Sequence, residues 1–130
     1  MNNLDDILAI NARFRQTWDQ SIPYILDNDP SIEEPGVLYA HLQVDPGNRD
    51  RLSIGQRSYK QIGRIILDVY VPAGDSVEEG WALIEQFSAA FTDWHTDDYR
   101  LRCDPPEYRT DDVEVNWFII TASVPYTAEH

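Results

Sequence analysis

The sequence predicts an α+β fold: a mainly antiparallel sheet of four to five strands, two helices packed on one of its faces, and a protruding basic hairpin or arm. Three observations carry this. Two stretches, Asn3–Trp18 and Ser76–Trp94, repeat apolar residues at helical spacing. Four others alternate with period two: Val37–Val44, Arg64–Val71, Tyr99–Cys103 and Val113–Tyr126. Between the first two strands, Arg49–Arg64 holds five bases and one acid, a net +4 that leaves −17 for the rest of a chain carrying −13. One domain is expected over residues 1–130, since 130 residues suffice for a single core that buries roughly two thirds of the unfolded surface. The arm is expected at about 46–62.

In chain order, the first helix is expected to bury Leu4, Ile7, Leu8, Phe14 and Trp18, a stripe interrupted by Asn11. Asn3 supplies a capping acceptor, Asp5 and Asp6 sit at the positive end of the dipole, and Pro23 bars continuation. The segment Ile22–Leu26 is at most an edge strand, and Pro30 and Pro35 mark a loop after it. In the next strand Leu38, Ala40, Leu42 and Val44 share the apolar side, with Val37, Tyr39, His41 and Gln43 opposite. "DPGN", Asp45–Asn48, has turn chemistry.

Beyond the basic segment, Ile65, Leu67, Val69 and Val71 face the core, with Ile66, Asp68, Tyr70 and Pro72 on the other side. Ser76 and Glu79 have capping-box spacing, and Val77, Trp81, Ile84, Phe87, Ser88, Phe91 and Trp94 form one helical face. Tyr99, Leu101 and Cys103 alternate with Arg100 and Arg102 before the turn-prone "DPPEYRTDD". In the last strand Val113, Val115, Trp117 and Ile119 alternate with Phe118, Ile120, Ala122 and Val124, so its middle is open to cover on both sides. The face of the sheet turned away from the helices then carries Tyr39, Ile66 and Tyr70, an apolar patch in a monomer and an interface in an oligomer.

Composition narrows function. Hydrophobic residues at 42% and aromatics at 12% describe a packed domain, not a disordered chain. The excess of acid argues against general adhesion to nucleic acid or anionic lipid. A single cysteine, Cys103, cannot close an intramolecular disulfide, and with no recognisable signal peptide the chain is expected to fold in a reducing, intracellular compartment. No apolar run reaches membrane-spanning length, so membrane insertion is not expected.

No catalytic constellation stands out. Cys103 reads as a buried strand residue, and His41 and His130 as packing and tail positions. "DWHTDD" offers Asp93, His95, Asp97 and Asp98 as metal ligands, but no second His or Cys stands at ligand spacing. "DNDPSIEE" begins like a calcium loop yet has Ile32 where glycine is required and Leu38 where glutamate is required. "PAGDSVEEG" lacks the Lys-Ser/Thr pair of a phosphate loop, and no nucleophile elbow occurs. Neither catalytic residues nor a cofactor are expected.

"TWDQSIPYILDND", "LSIGQRSYKQIGRIILDVYVPAGDSVEEGWALIEQF" and "VNWFIITASVPY", in that order and spacing, resemble small bacteriophage tail-completion proteins, in particular the tail terminators of long-tailed phages and prophages. The resemblance covers about half to two thirds of the chain. It implies a structural, non-enzymatic virion protein whose copies close into a ring, expected as a hexamer, on the end of the tail tube. Such a ring stops tube polymerisation and presents a surface for head-tail joining. Its implied partners are further copies of itself, the tail tube protein and a head-completion or connector protein, with assembly in the host cytoplasm. DNA would pass without adhering, because six copies carry six times −13 formal charges. A ring joins unlike patches, so the basic segment makes Arg51, Arg57, Lys60 and Arg64 candidate assembly residues, and Tyr70, Trp117 and Phe118 candidate aromatic cement. Two other classes are weighed: a small metal-dependent enzyme or binding domain built on His95 and its neighbouring acids, and an acidic DNA mimic, which the basic arm does not suit.

Overall fold

The computed structural model describes residues 3–26, 37–51, 59–111 and 117–129. The elements run α1 (Asn3–Thr17), β1 (Tyr24–Ile25), β2 (Tyr39–Arg51), β3 (Tyr59–Pro72), α2 (Val77–Phe91), β4 (Leu101–Cys103), β5 (Glu107–Asp111) and β6 (Trp117–Glu129). The loop expected around Pro30 and Pro35, the calcium-like stretch, Arg57 of the basic segment, and Val113 and Val115 lie outside the described residues.

The strands form one open sheet in the order β1-β2-β3-β6-β4, with β5 on the same flank of β6 as β4. Only the short β1–β2 pairing is parallel among the described strands. This is the α+β sheet the sequence predicts. The sheet has one strand more than expected, because Glu107–Asp111 pairs with β6 where a turn was anticipated. Asp104, Pro105 and Pro106 interrupt the edge without reversing it: Cys103 pairs with Tyr126 and Glu107 with Ser123, so Glu107–Asp111 runs on along β6 in the direction of β4 as an edge strand. Edge strands carry charge on a solvent side, so their composition resembles that of a loop.

Ile65, Leu67, Val69 and Val71 of β3 and Ile120, Ala122 and Val124 of β6 are buried beneath the helices, as their alternation predicts. Helix α2 adds Leu83, Ile84, Phe87, Ala90 and Phe91 to this core. It approaches the sheet closely at Gly80: a Cβ there would stand 2.6 Å from Val71 Cγ2 and 3.0 Å from Ile120 Cδ1. Ser76 caps the helix, its Oγ accepting from the Glu78 amide at 3.2 Å, and Thr92 closes it by donating backbone and side-chain bonds to the Ser88 carbonyl. Helix α1 packs on the same core through Phe14, whose ring meets Trp18, Tyr24 and Phe87.

The buried face of α1 differs from expectation. Leu4 and Leu8 are 60% and 56% exposed, whereas Ile10, Phe14 and Trp18 are buried together with Asp6. An acid takes the first-turn place on that face because Arg100 donates to its Oδ1 at 2.8 Å, and a count of apolar residues alone misses such a pair.

The basic stretch is carried by the β2–β3 hairpin: pairing continues without a turn through Asp45–Asn48 to Arg51 opposite Tyr59, so 46–51 and 59–62 are ladder residues, and 52–58 lie outside the described residues. "DPGN" makes a bulge: Asp45 pairs with Arg64 and Asn48 with Ile62, leaving Pro46 and Gly47 opposite Gly63 alone. Gly47 adopts φ +65°, donates its amide to Asp45 Oδ1 at 3.0 Å, and has no room for a Cβ against the Ile62 carbonyl. The buried Gln61 side chain donates to the Pro46 carbonyl at 2.7 Å, satisfying the group that the bulge removes from the ladder. Bulge and turn ask for the same residues, so local chemistry does not separate them.

Candidate functional site

The sheet face turned away from the helices is built from alternate residues of β2, β3, β6 and β5. Cross-strand register sets them in rows: Tyr39, Tyr70 and Ile119; His41, Asp68, Thr121 and Arg109; Gln43, Ile66, Ser123 and Glu107. From Lys60 to Pro72 this face extends about 40 Å at the usual rise of an extended strand.

One end is aromatic. Tyr39 and Tyr70 stack with centroids 4.5 Å apart and planes 3° from parallel, and Trp117 meets both rings edge-on at 5.3 and 6.1 Å. Tyr39 is buried, while Tyr70, Trp117 and Ile119 remain half-exposed. The middle is polar and tied down. Thr121 Oγ1 donates to Asp68 Oδ1 at 2.6 Å, and Gln43 Nε2 donates to His41 Nδ1 at 3.3 Å.

Farther along, Arg64 Nη1 donates to Ser123 Oγ at 3.0 Å and to Glu107 Oε2 at 3.3 Å. These groups, with Ile66, Arg109 and Thr121, line an open groove of about 430 Å³. At the far end Ile62 is 48% exposed, and Lys60 lies in register between Asp50 and Glu129.

The residues predicted for assembly are thereby separated. Tyr70 and Trp117 come together with Tyr39. Phe118 points to the opposite face and packs against the core. Lys60 and Arg64 stand on the outer face beside acids of their own chain, which reduces the net positive field there. Arg51 closes β2, and Arg57 lies outside the described residues. Alternation already placed Tyr39 on this face beside Tyr70, though not among the candidate assembly residues, and the β2–β3 register sets the two rings directly opposite each other.

The two residues with catalytic potential are differently occupied. Cys103 is buried, and burial, with Asp104 nearby, pushes its thiol up to about 12, so it stays protonated at neutral pH and is a poor nucleophile. His95 stacks on Tyr99 at 3.7 Å, and its Nδ1 lies 2.8 Å from the Thr96 carbonyl. A carbonyl only accepts, so Nδ1 carries the proton. The neighbouring acids do not gather around it. Asp97 and Asp98 line a groove against α1, whereas Asp93 lines a different one with His95. Asp98 accepts from Thr96 Oγ1 at 2.7 Å and from the Arg100 amide at 3.1 Å, and these bonds hold its carboxyl below the usual range. Among the described residues no three His, Cys, Asp or Glu side chains converge on a point where a cation would sit. No described helix is long and apolar enough to cross a membrane.

No family model matches the chain, and no curated protein matches it. A solved structure that carries no functional name is similar to it over 92% of this chain and 92% of its own, with a TM-score of 0.64 at 16% identity. That likeness extends over nearly the whole chain and shows the fold alone.

Proposed function

We propose that this chain is a structural virion subunit of the tail-terminator kind, which closes into a hexameric ring on the end of a phage tail tube. The ring halts tube polymerisation and offers a docking surface for a head-completion or connector protein. The protein acts by adhesion and shape and catalyses no reaction. The observation that carries this reading is the sheet face opposite the helices. It is about 40 Å long, half-exposed and aromatic at Tyr70 and Trp117, and graded toward a charged end at Lys60 and Arg64. A long face with aromatic anchors and a polar end has the make-up of an interface, where aromatic residues are enriched and bases sit at the rim. Assembly would take place in the host cytoplasm, and the mature location would be the virion tail. DNA would traverse the ring without adhering to its acidic subunits.

Electron microscopy of the purified protein, with and without isolated tail tubes, tests the reading. Rings that cap tube ends are the expected result. A protein that stays solitary and leaves tube ends bare contradicts it.

A further inference from the structure

Helix α2 carries Glu78, Glu79 and Glu85 and no base. The first two sit at the positive end of the helix dipole, but Glu85 lies mid-helix, where the dipole does not favour it. The residues three and four places from it, Trp81, Ala82, Ser88 and Ala89, are neutral. Glu78, Ala82, Glu85 and Ala89 follow at intervals of four, three and four, so they share one stripe, and all four are exposed. The stripe is acidic, and its alanines let a second surface approach closely.

The groove on the outer sheet face supplies the opposite charge. Arg109 is exposed and makes no ion pair among the described residues. Arg64 reaches across β6 to Ser123 and Glu107, so its charge sits on the row next to that of Arg109. Two guanidinium groups against the single carboxylate of Glu107 leave the groove net positive, in a chain whose formal charge is −13. Asp68, in the row of Arg109, already accepts from Thr121. Copies of so acidic a chain repel one another unless their contact sets acid against base.

Spacing agrees with charge. Neighbouring rows on one sheet face are about 7 Å apart, and Glu78 and Glu85, two helical turns apart, are separated by about 10.5 Å. Long side chains on both surfaces span the difference. Placing Glu78 at Arg109 and Glu85 at Arg64 also sets the direction of the helix. Val77, 39% exposed at the start of α2, then points toward Ile119 and Trp117 at the aromatic end. The sheet, already covered by helices on one face, gains a helix on the other.

We infer that the outer sheet groove of Arg64 and Arg109 receives the exposed α2 stripe, Glu78 to Ala89, of a second copy of this chain. The contact rests on the ring reading above and names which surfaces meet. Stripe and groove lie on opposite layers of the subunit, so one pair of copies cannot make the contact twice. It is heterologous and passes from copy to copy until a ring closes.

Charge exchange tests it. One protein carries Glu78→Lys and Glu85→Lys; the other carries Arg64→Glu and Arg109→Glu. By sedimentation and native mass spectrometry, the wild type is expected as rings and each exchanged protein alone as a monomer with an unchanged far-UV circular dichroism spectrum. In an equimolar mixture every stripe again faces a groove of opposite charge, so rings return with the two proteins alternating and therefore with an even number of subunits. Recovery on mixing also excludes misfolding as the cause of the single losses. Rings that survive either exchange, or exchanged proteins that stay apart when mixed, overturn this contact and leave the ring reading standing. A wild-type chain that remains monomeric at every concentration overturns both.

Discussion

The two faces of β3 alternate residue by residue yet differ in kind. Toward the helices, Ile65, Leu67 and Val69 are completely buried and Val71 is nearly so. On the outer side Arg64 is exposed and Ile66, Asp68 and Tyr70 are half-exposed. One backbone thus supplies a core on one side and, on the other, the face proposed for assembly, so a change of one position along the strand moves an experiment from stability to that proposal.

The largest effect is expected inside. Phe91 is fully buried and packs on Phe87 and Trp94 at ring distances of 5.0 and 5.6 Å. Replacing it, Phe91→Ala, should cost about 3–5 kcal/mol of unfolding free energy in urea titration. A loss well under 1 kcal/mol would show that the face beneath the helices is not the core. The buried Asp6–Arg100 pair comes next. Asp6→Asn takes from the guanidinium, with only 13% of its side chain exposed, its close buried counter-charge and leaves it the exposed Asp98 at 4.0 Å, at a cost of about 3 kcal/mol, the low end for broken buried pairs. If the same change cost only a few tenths of a kcal/mol, the pair would be a bystander in fixing α1 to the sheet.

The helix side also predicts sensitivity to alkali. Burial raises the Cys103 thiol from 9.0 to about 12, and burial with nearby Asp6 and Asp45 raises the Tyr126 hydroxyl from 10.0 to about 12. Both groups bind their protons more tightly in the folded chain. Their contribution is complete below the unfolded values and is lost as pH rises from about 9 toward about 12. At pH 10 the loss should be about 1–2 kcal/mol, and Cys103→Ala should flatten most of it. Stability that stays level between pH 8 and 11 would mean that the thiol reaches solvent.

Core-facing strand positions were legible because burial on one side leaves a period-two record, and β3 and the described part of β6 follow it. Helix α2 was legible for a related reason, with Ser76 marking its start. What escaped was whatever depends on a distant partner. Asp6 looked like a dipole acid until Arg100, 94 residues away, placed it in the interior. Leu4 and Leu8 looked like core for the same reason. Asp45–Asn48 looked like a turn because only the continued pairing of Asn48–Arg51 with Tyr59–Ile62 distinguishes a bulge. The candidate surface was half visible. Tyr70 and Trp117 could be assigned to one face from alternation, but the stack with Tyr39 required the register, and Phe118 falls on the other side by the parity that places Trp117.

The smallest effect on stability should come from the outer face, and there the comparison is sharpest. Arg64 is paired with Glu107 at 3.3 Å, but their side chains are 45% and 66% exposed, so water and salt compete for both charges. Arg64→Ala should therefore change unfolding free energy by less than about 1 kcal/mol. The same substitution takes a base from the charged end of the face proposed as the interface and leaves Glu107 uncompensated beside its groove. Ring formation, followed by sedimentation across a concentration series, should shift to higher protein concentration, and increasingly so as salt is lowered, because the remaining repulsion is less screened. A variant that loses several kcal/mol of stability while assembling normally would reverse the division between the two faces: the outer row would then be a support of the fold, and the contact surface would have to lie elsewhere.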